Sequence, residues 1–182
     1  MKPGKVLPVK LFCGILYSDP GIWERAEQQL VQKYGAIDYK SPRMPFTITD
    51  YYNEEMGAAI TRFFVSFERL LLPNELAGIK IECNEIEDLY AVGGRRQVNI
   101  DPGYMDYDKV VLASAKYNAH KIYLDFGIYA DLTLLYSKGH FKPCLWAFPD
   151  FHSAQYQEIF LHIRAIYKGQ LRRLMKGEGR RE

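Results

Sequence analysis

The residues able to do chemistry fall in a short stretch of the chain. Asn99-Ile100-Asp101-Pro102-Gly103-Tyr104 puts an amide and a carboxylate two residues apart, on one face of a strand end, where they can hold a metal or a polar ligand. Asp101 before Pro-Gly also reads as a turn opener bonded to its own backbone. Arg95 and Arg96 lie just upstream and can meet negative charge. His120 stands between Asn118 and Lys121 at a strand entrance, and an imidazole there can give or take a proton near neutral pH, or simply hold a loop. Over 128–137, Tyr129, Asp131 and Thr133 alternate with Ile128, Ala130, Leu132 and Leu134, and Tyr123 can join the first set. An acid among tyrosines is a ligand platform or an ordinary solvated sheet face.

This pattern predicts a site at Asp101, His120 and Asp131. Arg95, Arg96, Asn99, Tyr104, Tyr123 and Tyr129 are its expected ligand contacts. As an enzyme, it would use either aspartate as base or metal holder and His120 as acid. As a binding module, it would take a small polar or phosphorylated molecule, a nucleotide among the candidates. A third class, a protein- or RNA-binding adaptor, would use the aromatic, acidic stretch 50–55 and the basic end of the chain.

Several mechanisms are excluded by spacing. No G-x-x-x-x-G-K-[ST] run exists, so a P-loop is absent. The four histidines show no H-E-x-x-H or H-x-x-x-H spacing, and no H-x-[ST] pair occurs. No serine sits in a G-x-S-x-G elbow. Cys13, Cys83 and Cys144 form no C-x-x-C, so a zinc ribbon or dithiol pair is unavailable, and buried thiols in a reducing cytoplasm are expected. No structural metal is expected, and no cofactor is identified.

The whole chain has ordinary globular composition, with 182 residues, 48% hydrophobic and 25% charged. Its net charge is +2, unevenly placed. Residues 162–182 carry seven Lys/Arg against two acids, so they are +5 and the other 161 residues are −3. A near-neutral body argues against nucleic acid as the main partner. The basic residues fit a solvated helix end. No apolar run is long enough for a membrane span.

The elements that must position these residues follow from period and punctuation. Residues 9–17 are apolar on both faces, as in a central strand. Asp19-Pro20 opens a helix with Trp23, Ala26, Leu30 and Tyr34 on one side, closed by Gly35. An irregular edge strand within 36–50 and a Phe-rich strand at 60–69 follow. Pro73 opens a second helix with Leu76, Ile79, Cys83, Ile86 and Tyr90 inward. A short strand at 97–101 ends at a Pro102-Gly103 turn, and Asp106 is expected to cap a third helix with Val110 and Ala113 inward. Strands near 121–125, 128–137 and 141–148 form an antiparallel meander with turns at Phe126-Gly127 and Lys138-Gly139. Ser153 caps a last helix burying Ile159, Ile163, Tyr167 and Leu171.

The predicted class is therefore α+β. A ferredoxin-like β-α-β-β-α-β core is extended by a helix, a three-stranded meander and a long C-terminal helix. One domain spans 1–182, with 177–182 expected to fray.

Six segments together carry a resemblance: VKLFCGILYSD (9–19), PFTITDYYNEEMG (45–57), RFFVSFERLLLPNELAGIK (62–80), NIDPGYM (99–105), ASAKYNAHKIYL (113–124) and GIYADLTLLY (127–136). The chain resembles a prokaryotic family of small proteins catalogued as a domain of unknown function. Some of its members bear an automatic GTP-binding label. If the resemblance implies GTP, the absent P-loop means the phosphates are held by another device.

Overall fold

The computed structural model describes residues 1–57 and 59–178. Its centre is β1 (Val9–Tyr17), buried at all nine positions, as its doubly apolar sequence requires. Asp19 accepts from the Gly21 amide and Pro20 supplies the first turn of α1 (Pro20–Tyr34), so helix follows strand after two residues. The edge strands β2 (Ile37–Lys40) and β3 (Met44–Pro45) come next, then one helical turn, α2 (Asn53–Met56). After β4 (Thr61–Leu71) and a 3-10 turn at Pro73–Glu75 comes α3 (Leu76–Leu89). The remaining elements are β5 (Val98–Met105), β6 (Lys109–Ser114), β7 (Ile122–Asp125), β8 (Ile128–Ser137), β9 (His140–Pro143) and α4 (Ala154–Glu178).

Among the described residues, nine strands join one sheet in the order β2-β4-β1-β5-β6-β8-β7, with β3 on β4 and β9 on β8, and every pairing is antiparallel. One face carries α1 and α3. There Trp23, Leu30, Ile79 and Cys83 pack on Leu11, Cys13, Ile15, Phe63, Val65 and Ile100. The other face carries α4, whose Tyr156, Ile159, Phe160 and Ile163 pack on Phe12, Phe64, Met105, Leu112 and Leu134. Among the described residues no helix is long and apolar enough to cross a membrane.

Three expectations are corrected. Residues 109–114 form strand β6 and not a helix. Asp106 Oδ1 accepts from the amides of Asp108 and Lys109, which closes a hairpin, and the Val110-Val111 pair suits a pleated surface. Pro102-Gly103 is not a turn, because β5 runs straight through it. The last three strands are not a simple meander, since β8 pairs with β6 on one side and with both β7 and β9 on the other. Both expected hairpin turns are present, with Phe126-Gly127 and Lys138-Gly139 all at positive φ. Helix α4 continues through 177 and 178, and the rest of the segment expected to fray, 179–182, lies outside the described residues.

Candidate functional site

Alternation along β5 sends Asn99, Asp101, Gly103 and Met105 to the α4 side, and Val98, Ile100 and Tyr104 to the α3 side. Gly103 pairs with Leu112 of β6, and Leu112 pairs with Asp131 of β8. Asp101 and Asp131 thus face the same way, two strands and two residues apart. On this face the Phe12 end is apolar. The other end is polar and ringed by the loops 46–57, 114–121 and 144–153.

The polar end exists because the sheet splits there. Only Gly103, Tyr104 and Met105 pair with β6, and Pro102 has no amide hydrogen to extend the ladder. Side chains of α3 stand in for the missing strand. Glu87 Oε1 accepts from the Ile100 amide at 2.6 Å, and Lys80 Nζ donates to the Ile100 carbonyl at 3.0 Å. Around this pair runs a chain of charges. Lys80 lies 3.5 Å from Asp101 and 3.9 Å from Glu87, and Arg62 lies 3.8 Å from Asp101 and 3.9 Å from Asp150. Arg96 bonds Glu55 at 2.8 Å, Asn99 at 2.7 Å and Glu87 at 3.3 Å, while Asn99 donates to Asp101 at 2.7 Å.

Burial and charge set opposing pulls in this network. Burial pushes Glu87 up to about 6, against the pull of Lys80, the Ile100 amide and Arg96. Burial alone would lower Lys80, but Asp101 and Glu87 outweigh it and hold the ammonium above its ordinary value. Burial likewise pushes the Tyr156 phenol up to about 12, beside Arg62 and Asp150. Arg62 is 5% exposed, stacks 4.7 Å over Phe64, and lies against Gly14, where a Cβ would stand 2.8 Å from its guanidinium.

The second half of the polar end centres on Asp131. Lys121 Nζ lies 3.2 Å from Asp131 Oδ2, and His120 Nε2 lies 3.5 Å from Oδ1. Lys121 also donates to Ser114 Oγ at 2.8 Å. The His120 ring stacks on Trp146 with centroids 5.0 Å apart, and the Trp146 indole donates to the Leu132 carbonyl. Lys116 donates to the Tyr51 hydroxyl at 2.8 Å and ties two of the rim loops together.

The fold therefore brings His120 to Asp131, Asn99 to Asp101, and Arg96 to Asn99. Asp101 sits in the neighbouring cluster, where its contacts are Arg62, Lys80 and Asn99. Tyr104 falls on the opposite face, against α3. An uninterrupted β5 puts residues three apart on opposite sides, which separates Tyr104 from Asp101. Arg95 is exposed in the 92–95 turn. Tyr123 and Tyr129 pair directly, with rings 5.6 Å apart, and Tyr117 meets Tyr129 at 5.7 Å. Thr133 is the extra residue of a bulge between Leu132 and Leu134, which turns Leu134 to the α4 side, away from Ile128, Ala130 and Leu132.

Sequence reasoning missed Arg62, Lys80, Glu87, Asp150 and Trp146. Two signals were present. Arg62 interrupts an apolar strand, and Lys80 and Glu87 lie seven apart on the buried stripe of α3. Among the described residues no three His, Cys, Asp or Glu side chains gather as a metal ion needs.

Fold and site together define an α+β protein with one long antiparallel sheet and a polar, loop-ringed end on its α4 face. Over residues 7–167 the chain matches the family described as Domain of unknown function (DUF4416), and it belongs to that family. Comparison with curated proteins and with solved structures gives no match.

Proposed function

We infer that the polar end of the α4-side face binds a small polar or phosphorylated ligand whose oxygens complete donors the fold leaves open. One observation carries this reading. Among the described residues, the buried side-chain polar atoms without a hydrogen-bond partner are Arg62 Nε and His120 Nε2, and both belong to this end. Asp131 Oδ1 at 3.5 Å is too far for a good hydrogen bond to His120 Nε2, and an open buried polar atom costs about 1–3 kcal/mol, so two in one region call for a partner from outside. A nucleoside phosphate belongs to this ligand class. Without a P-loop its phosphates would meet side chains. The strand order β2-β4-β1-β5, with α1 and α3 on one face, supports reading the first half as ferredoxin-like.

A second reading, acid–base catalysis, is favoured by the His120 ring being fixed by Trp146 and faced by Asp131. There His120 transfers the proton and Asp131 orients it.

The test is a thermal-shift panel of inorganic phosphate and nucleoside mono-, di- and triphosphates on the full chain. A ligand at a hundred times its Kd adds about 2.7 kcal/mol, which is roughly 5–10 °C for a domain of this size. The expected shift disappears in His120→Gln and in Arg62→Lys. A panel with no shift above about 1 °C, or a shift that survives in both variants, overturns the reading. Turnover of a bound compound that His120→Gln abolishes without abolishing the shift selects the catalytic reading.

A further inference from the structure

The sheet meets no further strand at several places, and most of them are guarded. Along the first half of β5, Glu87 and Lys80 occupy the Ile100 amide and carbonyl. On β9, Gln157 of α4 does the same for Phe141, accepting from its amide at 2.6 Å and donating to its carbonyl at 2.5 Å. The edge strand β2 is four residues long, is bulged, and turns Asp38 inward onto Lys10 and Ser66. β3 ends at Pro45. Short strands, bulges, inward charges, proline and covering helices are the usual means of stopping an edge from pairing.

β7 is different. It ends the sheet, paired with β8 alone, and among the described residues no side chain is hydrogen-bonded to its outer backbone groups. It holds neither Lys nor Pro. Its surroundings are apolar: Ile122 is 70% exposed, Tyr123 58%, Phe126 68% and Tyr117 74%. Trp146, stacked on His120, and the exposed Leu145 carry this surface past the start of the strand.

We propose that β7 is the interface between two copies of this chain. Each β7 pairs antiparallel with its counterpart about a two-fold axis, so that two sheets become one. Antiparallel pairing is the only kind this sheet uses, and it is self-complementary under two-fold rotation. That direction sets the two Asp125 residues at opposite ends of the paired strands, so like charges are not opposed. The area is adequate. Side chains of this size carry about 150–250 Å² each, and the six residues named above are on average about two thirds exposed, so they offer roughly 800 Å², about one partner's share of a standard interface. The strand pairing supplies the direction and the rings supply the area.

The experiment is sedimentation equilibrium of the full chain at about 100 µM, where a pair with Kd near 10 µM is mostly associated. The expected mass is twice the 21.2 kDa of the chain. Ile122→Lys and Tyr123→Lys, each with unchanged near-UV circular dichroism, are expected to return it to 21.2 kDa. Val92→Lys, exposed at the far end of α3, is expected to leave the pair intact. A monomeric parent overturns the proposal, as does a dimer that persists in both β7 variants or is lost equally in Val92→Lys.

Discussion

Asp131 shows how a single carboxylate can serve fold and site together. Its side chain and that of Lys121 are each 8% exposed, so each charge depends on the other. Removing one partner of a buried pair strands the other, at a cost of about 3–5 kcal/mol when burial is complete. Asp131→Asn is therefore expected to lower the melting temperature by roughly 5–10 °C in a thermal melt, allowing for partial exposure. His120→Gln leaves that pair whole and is expected to melt within about 3 °C of the parent. Glu87 gives a pH signature. Its folded pKa, about 6, lies above the ordinary 4.5, so its contribution is full below about 4.5 and is lost as pH rises through about 6. The difference corresponds to roughly 2 kcal/mol. Melting the parent and Glu87→Gln in parallel from pH 7 to 4.5 is expected to show the parent gaining on the variant as pH falls. No gain would mean that Glu87 is not held by burial. Gly103 has a different constraint: a Cβ there would meet Phe12 at 2.6 Å and the Val111 carbonyl oxygen at 2.7 Å. A backbone oxygen cannot step aside as a side chain does, so Gly103→Ala is expected to cost at least about 1–3 kcal/mol in denaturant unfolding.

At the scale of elements, turns offer the clearest prediction. Lys138 holds φ 52 in the β8–β9 turn, a conformation that asparagine tolerates better. Lys138→Asn is expected to raise stability by about 0.5–1 kcal/mol in urea unfolding, and a loss would mean that the lysine is held by something beyond the turn. The same turns explain what could be read from the residues alone. Both hairpins were legible because Phe126-Gly127 and Lys138-Gly139 sit between apolar runs of strand length. Helices α1, α3 and α4 were legible because their apolar stripes and flanking Asp19, Pro73 and Ser153 agree. β6 was not, because Asp106 serves equally as a helix cap and as a hairpin turn. Choosing between them requires Leu134 and Met105 on the neighbouring strands, which the local sequence does not contain. The site was half legible for a related reason. Alternation within β8 identified Asp131, but the meeting with His120 depends on Trp146, fourteen residues beyond Leu132, to whose carbonyl it bonds. Arg62 and Asp150 are brought together by packing between β4 and the turn before α4, a contact that no periodicity announces.

At the scale of the molecule, the sheet is two unequal parts. β2, β3, β4, β1 and β5 form one, and β6, β8, β7 and β9 the other, with three residue pairs at their junction. β1 is paired along nearly its whole length on both sides. Hydrogen exchange under native conditions is expected to leave β1 amides protected to the global unfolding free energy, with β7 to β9 opening at lower cost. Uniform protection across the sheet would show that the three-pair seam behaves like any other.

The seam also has a meaning in time. A ribosome delivers β1 through β5 and both helices of the first face by residue 105, whereas α4 begins at Ala154. At about 5–20 residues per second, Phe12, Phe64 and Met105 wait several seconds for the helix that covers them. For that interval the nascent chain presents a finished five-stranded sheet with one greasy side bare, which is the kind of surface a holdase recognises. A ribosome stalled between residues 110 and 150 should therefore carry a chaperone that one stalled after α4 has released.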